Sequence, residues 1–144
     1  MTNKGFTFIE IMVAVAILIL IFGLGGDMGL NFYRQYLREQ SKSDLTTILK
    51  KARSRAMADI NQSNHGVYVG ENQYILFQGS SYSSRTTEYD QAFNKASGIS
   101  ASGLGEIVFE RFRGNSSSSS TITLTDVFTN KTKTIEINYE GRIN

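Results

Sequence analysis

A single carboxylate, Glu10, stands at the rim of the longest apolar run of this sequence, within MTNKGFTFIEIMVAVAILILIFGLGG. From Phe6 to Gly26 the run has 21 residues, and Glu10 is its only charge. As a helix it would span roughly 30 Å, close to the hydrocarbon thickness of a bilayer. An acidic residue at the centre of such a helix costs about 2.5–3.5 kcal/mol, and less near the interface. No Lys or Arg lies within the run, so we expect the partner of Glu10 to come from outside the helix, from a headgroup or another chain.

The other residues that could do chemistry form no catalytic or metal-binding pattern. The chain has no cysteine and one histidine, His65, whereas a zinc site needs several such ligands. His65 lies between the turn-forming residues Asn64 and Gly66, without a nucleophile motif nearby, and we expect it in a loop. Four carboxylates on short predicted strands indicate a solvated face: Glu106, Glu110, Glu136 and Glu140. We therefore expect no enzyme, no cofactor and no metal.

The apolar run could be a membrane helix or a cleaved secretory signal peptide, because both place a basic residue before an apolar stretch. A signal peptide is disfavoured, since the charged region would be only MTNK, the run is long, and a carboxylate stands at its start. With Lys4 before the run, the positive-inside tendency places the N-terminus in the cytoplasm and the rest of the chain outside. We expect a single-pass protein of the cytoplasmic (inner) membrane with a periplasmic or extracellular C-terminal domain.

The segment KGFTFIE, followed by the aliphatic run, resembles the processing site of type IV prepilins and type II secretion pseudopilins. The resemblance implies that prepilin peptidase cleaves between Gly5 and Phe6 and N-methylates Phe6. It also implies an assembly salt bridge between Glu10 and the N-terminal amine of a neighbouring subunit. Such a pair would neutralise two charges that are each costly in a membrane. The implied partners are the peptidase, other pilin or pseudopilin subunits, the membrane and an inner-membrane assembly platform, with the mature chain ending in a pilus or pseudopilus.

Two helical segments are expected after the leader. The glycine-rich stretch GLGGDMG, residues 23–29, is the softest part of any continuous helix and predicts local unwinding or a helix end at a membrane exit. From Leu30 to about Ile60, apolar residues recur at three- and four-residue spacing, which predicts an amphipathic helix. The recurring residues are Leu45, Ile48, Leu49, Ala52, Ala56 and Ile60.

The remainder of the chain predicts antiparallel β structure. The expected strands are Val67–Val69, Gln73–Gln78, Glu106–Phe112 and a hairpin formed by TITLTDV and TKTIEINY around a turn at Phe128–Thr132. One face of the hairpin is apolar and consists of Ile122, Leu124, Ile135, Ile137 and Tyr139. Residues 80–105 and the NSSSSS tract at 115–120 are expected to be loops, the second of them mobile.

These elements predict an α+β fold of the pilin type, in which a long N-terminal helix packs on a small antiparallel β-sheet domain. We expect a leader peptide at 1–5, a transmembrane and assembly helix at 6–26, an amphipathic helix at 27–60 and the sheet domain at 61–144. The stretch from Asp44 to Ile60, with Ala52, Arg53 and Ala56, resembles the approach from helix to sheet in GspH/FimT-type minor pseudopilins.

Three assembly roles stay open at this point. The first is a minor pilin or pseudopilin of a type IV pilus or type II secretion pseudopilus, and the second is the major pilin, which often carries a C-terminal disulfide loop that is absent here. The third is a DNA-binding minor pilin of a DNA-uptake pilus.

The DNA-binding role has two sequence features in its favour. The C-terminal EGRIN resembles the Gly-Arg-x-Arg ending of FimT-type proteins and makes Arg142 a possible DNA contact, although Asn144 stands where a second arginine would be expected. Residues 34–59 carry a formal charge of +4, while residues 60–144 are near neutral at −1. The basic residues of the helix are Arg34, Arg38, Lys42, Lys50, Lys51, Arg53 and Arg55. Because much of this helix would be buried in a filament, nucleic acid is the disfavoured partner.

Overall fold

The computed structural model describes residues 5–144, with the side chains of residues 24–28 left out. Its first element is the α-helix α1, Phe8–Met57, which has 50 residues. The backbone of residues 23–29 is α-helical, so the local unwinding or helix end expected at the glycines is not found. The chain divides into two compact units, the first ending at Tyr36 and the second running from Leu37 to Asn144.

The first unit consists of the start of α1 and exposes its apolar residues. All described residues from Gly5 to Gly23 are exposed, and large apolar side chains such as Phe8, Ile9 and Phe22 are more than two-thirds exposed, at 79%, 70% and 78%. Among the residues whose side chains the structure describes, no helix combines the length and the apolar character needed to cross a membrane.

The second unit contains the end of α1 and seven strands in two antiparallel sheets. The strands are β1 His65–Val69, β2 Gln73–Gln78, β3 Gln91–Asn94, β4 Ile99–Ser102, β5 Glu106–Phe109, β6 Ser120–Asp126 and β7 Thr132–Ile137. One sheet has the strand order β3-β2-β1-β5 and the other has the order β4-β6-β7. The expected α+β fold, with a long N-terminal helix packed on antiparallel β structure, is confirmed.

The core of the second unit forms between α1 and the two sheets. Leu45, Leu49 and Ala52 of α1 are fully buried, because the three- and four-residue spacing puts them on one helix face. They pack in one cluster with the inward side chains of the strands, among them Phe109 and Ile135. The strands thus close a core that neither sheet could form alone.

Several expected strands are confirmed, with corrections at their ends. Strand β2 has the predicted bounds, and the β6–β7 hairpin pairs Ile122 with Ile135. Strand β5 ends at Phe109 rather than Phe112, since Phe112 adopts a left-handed φ of 65° that breaks the extended conformation. Tyr139 lies beyond β7 and is 66% exposed, so its assignment to the apolar face was wrong.

Three further expectations from the sequence were wrong. His65 lies in β1 and is buried, not in a loop. Helix α1 ends at Met57. Left-handed backbone at Asp59 precedes a short 3-10 helix, Ile60–Gln62, which is itself irregular at Asn61, and Ile60 is exposed. The stretch 80–105 also contains β3 and β4, whose sequences QAFN and ISAS have only four residues each, too few for a periodic pattern to predict a strand.

Candidate processing and assembly site

The predicted cleavage bond lies in a short non-helical segment before α1. Residues 5–7 have no regular secondary structure, and Gly5 and Phe6 are exposed, Phe6 to 84%. A Cβ added at Gly5 would meet nothing within 4 Å among the described residues, which leave open space at this position. Residues 1–4 of the predicted leader lie outside the described residues. Among the described residues, therefore, none covers the bond between Gly5 and Phe6.

Glu10 takes part in a capping box at the start of α1. The backbone N–H and the hydroxyl of Thr7 both donate to Oε2 of Glu10, each over 2.9 Å. In return, the N–H of Glu10 points to the Thr7 hydroxyl oxygen over 3.4 Å. This reciprocal arrangement satisfies backbone donors that a helix start would otherwise leave unpaired, and a carboxylate in the first turn also suits the helix dipole.

The local donors are uncharged, so the charge partner of Glu10 is still expected to come from outside the helix. The signal for the capping box is present in the sequence as Thr7-Phe8-Ile9-Glu10, a Thr followed three residues later by Glu, immediately before an apolar run. Thr7 supplies hydrogen bonds but no positive charge, and both bonds use Oε2. The charge of Glu10 is thus oriented by its own helix without being neutralised by Thr7.

Glu10 is bordered by apolar surface on both sides. Shallow grooves of the helix surface lie against it, one formed with Ile9 and Val13 and the other with Phe6 and Ile11. Apolar surface of this extent is rare on soluble monomeric proteins and marks a membrane or protein contact. The arrangement presents one oriented carboxylate within a continuous apolar surface.

The C-terminal turn that carries Arg142 is held by α1. Arg53 donates from Nε to the carbonyl oxygen of Gly114 over 3.1 Å and from Nη2 to that of Glu140 over 2.9 Å. The backbone N–H of Arg142 donates to Oδ1 of Asn138 over 2.8 Å, while its side chain is exposed. The structure therefore places Arg142 at the surface, far along the chain from the Glu10 segment and in the other unit.

Several basic residues of α1 are engaged inside the second unit. Arg38 is buried and donates to Asp126 over 3.1 Å and to the Thr129 hydroxyl over 3.3 Å. Lys51 donates to Oε1 of Gln91 over 2.9 Å. Like Arg53, these residues bind the fold itself, so the helix charge of +4 does not form one unoccupied basic surface.

Known proteins resemble this chain in its N-terminal sequence and in its fold. Residues 1–25 match the model of the prokaryotic N-terminal methylation motif. The fold is similar to that of the minor pseudopilin EpsH from the type 2 secretion system of Vibrio cholerae, with a TM-score of 0.56 and 11% sequence identity over 74% of this chain and 94% of that chain. No curated protein matches the chain in sequence. The resemblance of the N-terminus to prepilins and of the fold to GspH-type pseudopilins is confirmed.

Proposed function

We propose that this chain is a structural subunit, a minor pilin or pseudopilin, of a type IV pilus or a type II secretion pseudopilus. The match of residues 1–25 to the methylation motif carries the proposal, and the pseudopilin-like fold supports it. A motif of this kind implies processing by prepilin peptidase and membrane-anchored assembly with other pilin subunits. Pilins and pseudopilins are structural subunits rather than enzymes.

In this proposal, prepilin peptidase removes residues 1–5 by cleaving between Gly5 and Phe6, and then N-methylates the new amine of Phe6. The exposure of both residues and the irregular backbone at 5–7 support an accessible bond. Because a Cβ at Gly5 meets open space, an alanine there is compatible with the fold of the chain. A cleavage defect in Gly5→Ala would therefore report the fit of the peptidase and not a folding defect.

The apolar residues 6–26 anchor the subunit in the cytoplasmic membrane before assembly, with the C-terminal domain on the periplasmic or extracellular side. Glu10 then pairs with the N-terminal amine of a neighbouring subunit. Thr7 orients the carboxylate through Oε2 and leaves Oε1 outside both capping bonds. In a medium of low dielectric constant, uncharged donors reduce the cost of the carboxylate, but only a cation neutralises it. The amine exposed by cleavage supplies that cation.

The cleavage proposal is tested by mass spectrometry of the N-terminus in cells with and without prepilin peptidase. We expect the wild-type chain to lose five residues and to gain a methyl group at Phe6 only when the peptidase is present. Gly5→Ala should stay unprocessed. Gly23→Ala is the matched control, because a Cβ there also meets nothing within 4 Å, and it should be processed normally. An unprocessed wild-type chain beside an active peptidase would reject the proposal.

The pairing role of Glu10 is tested by comparing Glu10→Gln with Glu10→Ala. Glutamine keeps an acceptor for the Thr7 donors and removes only the charge, whereas alanine removes both. We expect both variants to be cleaved and both to be excluded from sheared filaments. The amount of each variant in the filaments is measured by immunoblotting, relative to the amount of the other subunits. Normal incorporation of Glu10→Gln would show that the charge is not needed.

The copy number of the wild-type chain in the same filaments separates a minor subunit, present in traces, from a major pilin.

A further inference from the structure

A groove lies between α1 and the edge of the four-stranded sheet, within the unit Leu37–Asn144. Its volume is about 490 Å³, which is in the range of pockets that bind small molecules or several side chains. One wall comes from α1 and the other from β2 and β3. Its lining includes Ser41, Asp44, Ile48, Tyr74, Phe93 and Asn94.

The outer wall of this groove is the free edge of β3. Strand β3 pairs only with β2, and Lys95 N–H donates to the Asn72 carbonyl oxygen over 3.0 Å. In an antiparallel pair, hydrogen-bonded and non-hydrogen-bonded residue pairs alternate. Phe93, which is opposite Tyr74, therefore directs its main-chain N–H and C=O toward β2, as Lys95 does. The main-chain groups of Ala92 and Asn94 therefore face away from β2. Both residues are exposed and line the groove.

A buried hydroxyl on the helix wall lacks a partner. Ser41 is 4% exposed, and its Oγ has no hydrogen-bond partner among the residues that the structure describes. Leaving a buried hydroxyl unsatisfied costs free energy, so such a group is expected to find a partner when the site is filled. Because Ser41 lines the groove, an occupant could supply that partner.

The groove has an apolar floor and charges of both signs at its rim. Ile48 and Phe93 supply apolar surface, and Asp44 stands on the helix wall. Lys51 Nζ lies 5.5 Å from the Phe93 ring centroid, and Lys95 Nζ lies 5.1 Å from that of Tyr74. The combination suits an occupant that offers apolar side chains together with both hydrogen-bond donors and acceptors.

We propose that this groove receives an extended segment of another polypeptide, which adds to the free edge of β3. Its main chain pairs with Ala92 and Asn94, an apolar side chain enters between Ile48 and Phe93, and a polar side chain bonds to Ser41. Main-chain donors and acceptors at two-residue spacing match the backbone of a strand, which is why the occupant is a polypeptide rather than a small molecule.

The test uses the full-length chain in its host cells, with the photo-crosslinking residue benzoylphenylalanine in place of Asn94. The control carries the same residue in place of Ser100, which is also exposed but lies on β4, an edge strand of the other sheet. We expect crosslinks at position 94 and not at 100, and a crosslinked peptide that maps to one segment of one partner. A synthetic peptide of that segment should then bind the purified chain in detergent. The absence of a crosslink at position 94, or a crosslink to nucleic acid or a small molecule, would overturn the proposal.

Two variants test the geometry. Ala92→Pro removes an N–H that faces away from β2, a position at which sheets tolerate proline, and should weaken peptide binding by about tenfold. Ser41→Ala should also weaken binding, while it leaves or raises the melting temperature of the free chain because it removes an unsatisfied group. Ser120→Ala is the matched control, since Ser120 Oγ is likewise buried without a partner in the described structure but lies outside the groove. Unchanged binding in both Ala92→Pro and Ser41→Ala would refute the strand addition.

This inference does not depend on the proposed function, and the two can fail separately. Cleavage after Gly5 is measured in the same cells. Normal processing without a crosslink at position 94 rejects only the groove proposal, whereas a mapped crosslink on an unprocessed chain rejects only the proposed function.

Discussion

Replacing Arg38 by methionine is expected to destabilise the unit Leu37–Asn144. The guanidinium of Arg38 lies 3.1 Å from Oδ2 of Asp126, and the side chains are only 7% and 1% exposed. This pair joins α1 to the turn between β6 and β7. Methionine preserves much of the length and apolar bulk of the side chain and removes the charge, so the variant isolates the ion pair.

The expected size of the effect follows from what Arg38→Met leaves behind. Asp126 would lose the buried cation that Arg38 supplies, and removing one partner of a buried pair costs about 3–5 kcal/mol. Oδ1 of Asp126 still accepts the N–H groups of Phe128 over 2.9 Å and Thr129 over 3.3 Å. These bonds offset part of the loss, so we expect about 3 kcal/mol, the low end of that range. For a domain of this size the melting temperature should fall by more than about 10 °C.

The assay is thermal unfolding of the full-length chain in detergent micelles, followed by circular dichroism in the β-sheet region. Lys50→Met on the exposed side of α1 is the control and should change stability by less than about 0.5 kcal/mol. The double variant Arg38→Met with Asp126→Asn should recover most of the loss, because asparagine accepts the same N–H bonds without a buried charge. If Arg38→Met melts at the temperature of Lys50→Met, the pair does not hold the turn and the reasoning is refuted.

Three further predictions concern single side chains. Burial lowers the pKa of His65, so the folded chain binds a proton less readily than the unfolded chain. The stability that is present above about pH 6.5 should therefore be lost as the pH falls toward the lowered pKa. The melting temperature of the wild-type chain should fall between about pH 7 and pH 5, and His65→Gln should remove this dependence. Gly141→Ala should lower the melting temperature, because φ is +72° and the added Cβ would overlap the Gly114 carbonyl oxygen, whereas Gly105→Ala enters open space and should not. Thr7→Ala removes the cap and should weaken the first turn of α1 by roughly 0.5–2 kcal/mol, seen as faster amide exchange confined to that turn; unchanged exchange would contradict the capping box.

Much of the fold was predictable from the sequence because it depends on neighbours along the chain. The three- and four-residue spacing of Leu45, Ile48, Leu49, Ala52 and Ala56 identified the buried face of α1, and all five are in the core. Strict alternation identified the β6–β7 hairpin. The capping box of Thr7 and Glu10 can also be predicted from the sequence, since both residues lie within one helical turn.

The errors arose where distant residues decide the outcome. His65 has the neighbours of a turn residue, but it lies in β1 between β2 and β5, and its buried ring places Nε2 3.0 Å from the carbonyl oxygen of Ile60. Strands β3 and β4 are too short, at four residues each, to be predicted from periodicity, and they form because β2 and β6 offer edges for pairing. Their pairing is a property of the assembled sheets and not of the segments.

The sequence by itself determined the N-terminal chemistry of this protein: a glycine, a phenylalanine and a carboxylate at fixed spacing before an apolar run. Those features act locally, within one helical turn or, in the proposed function, at the site that a peptidase would cleave, so their order along the chain is sufficient. Only the tertiary structure shows that Arg38 pairs with Asp126, which is 88 residues away along the chain. It alone also forms the groove beside Ser41. Ion pairs and grooves of this kind form between elements, and their geometry depends on packing that no single segment of the chain encodes.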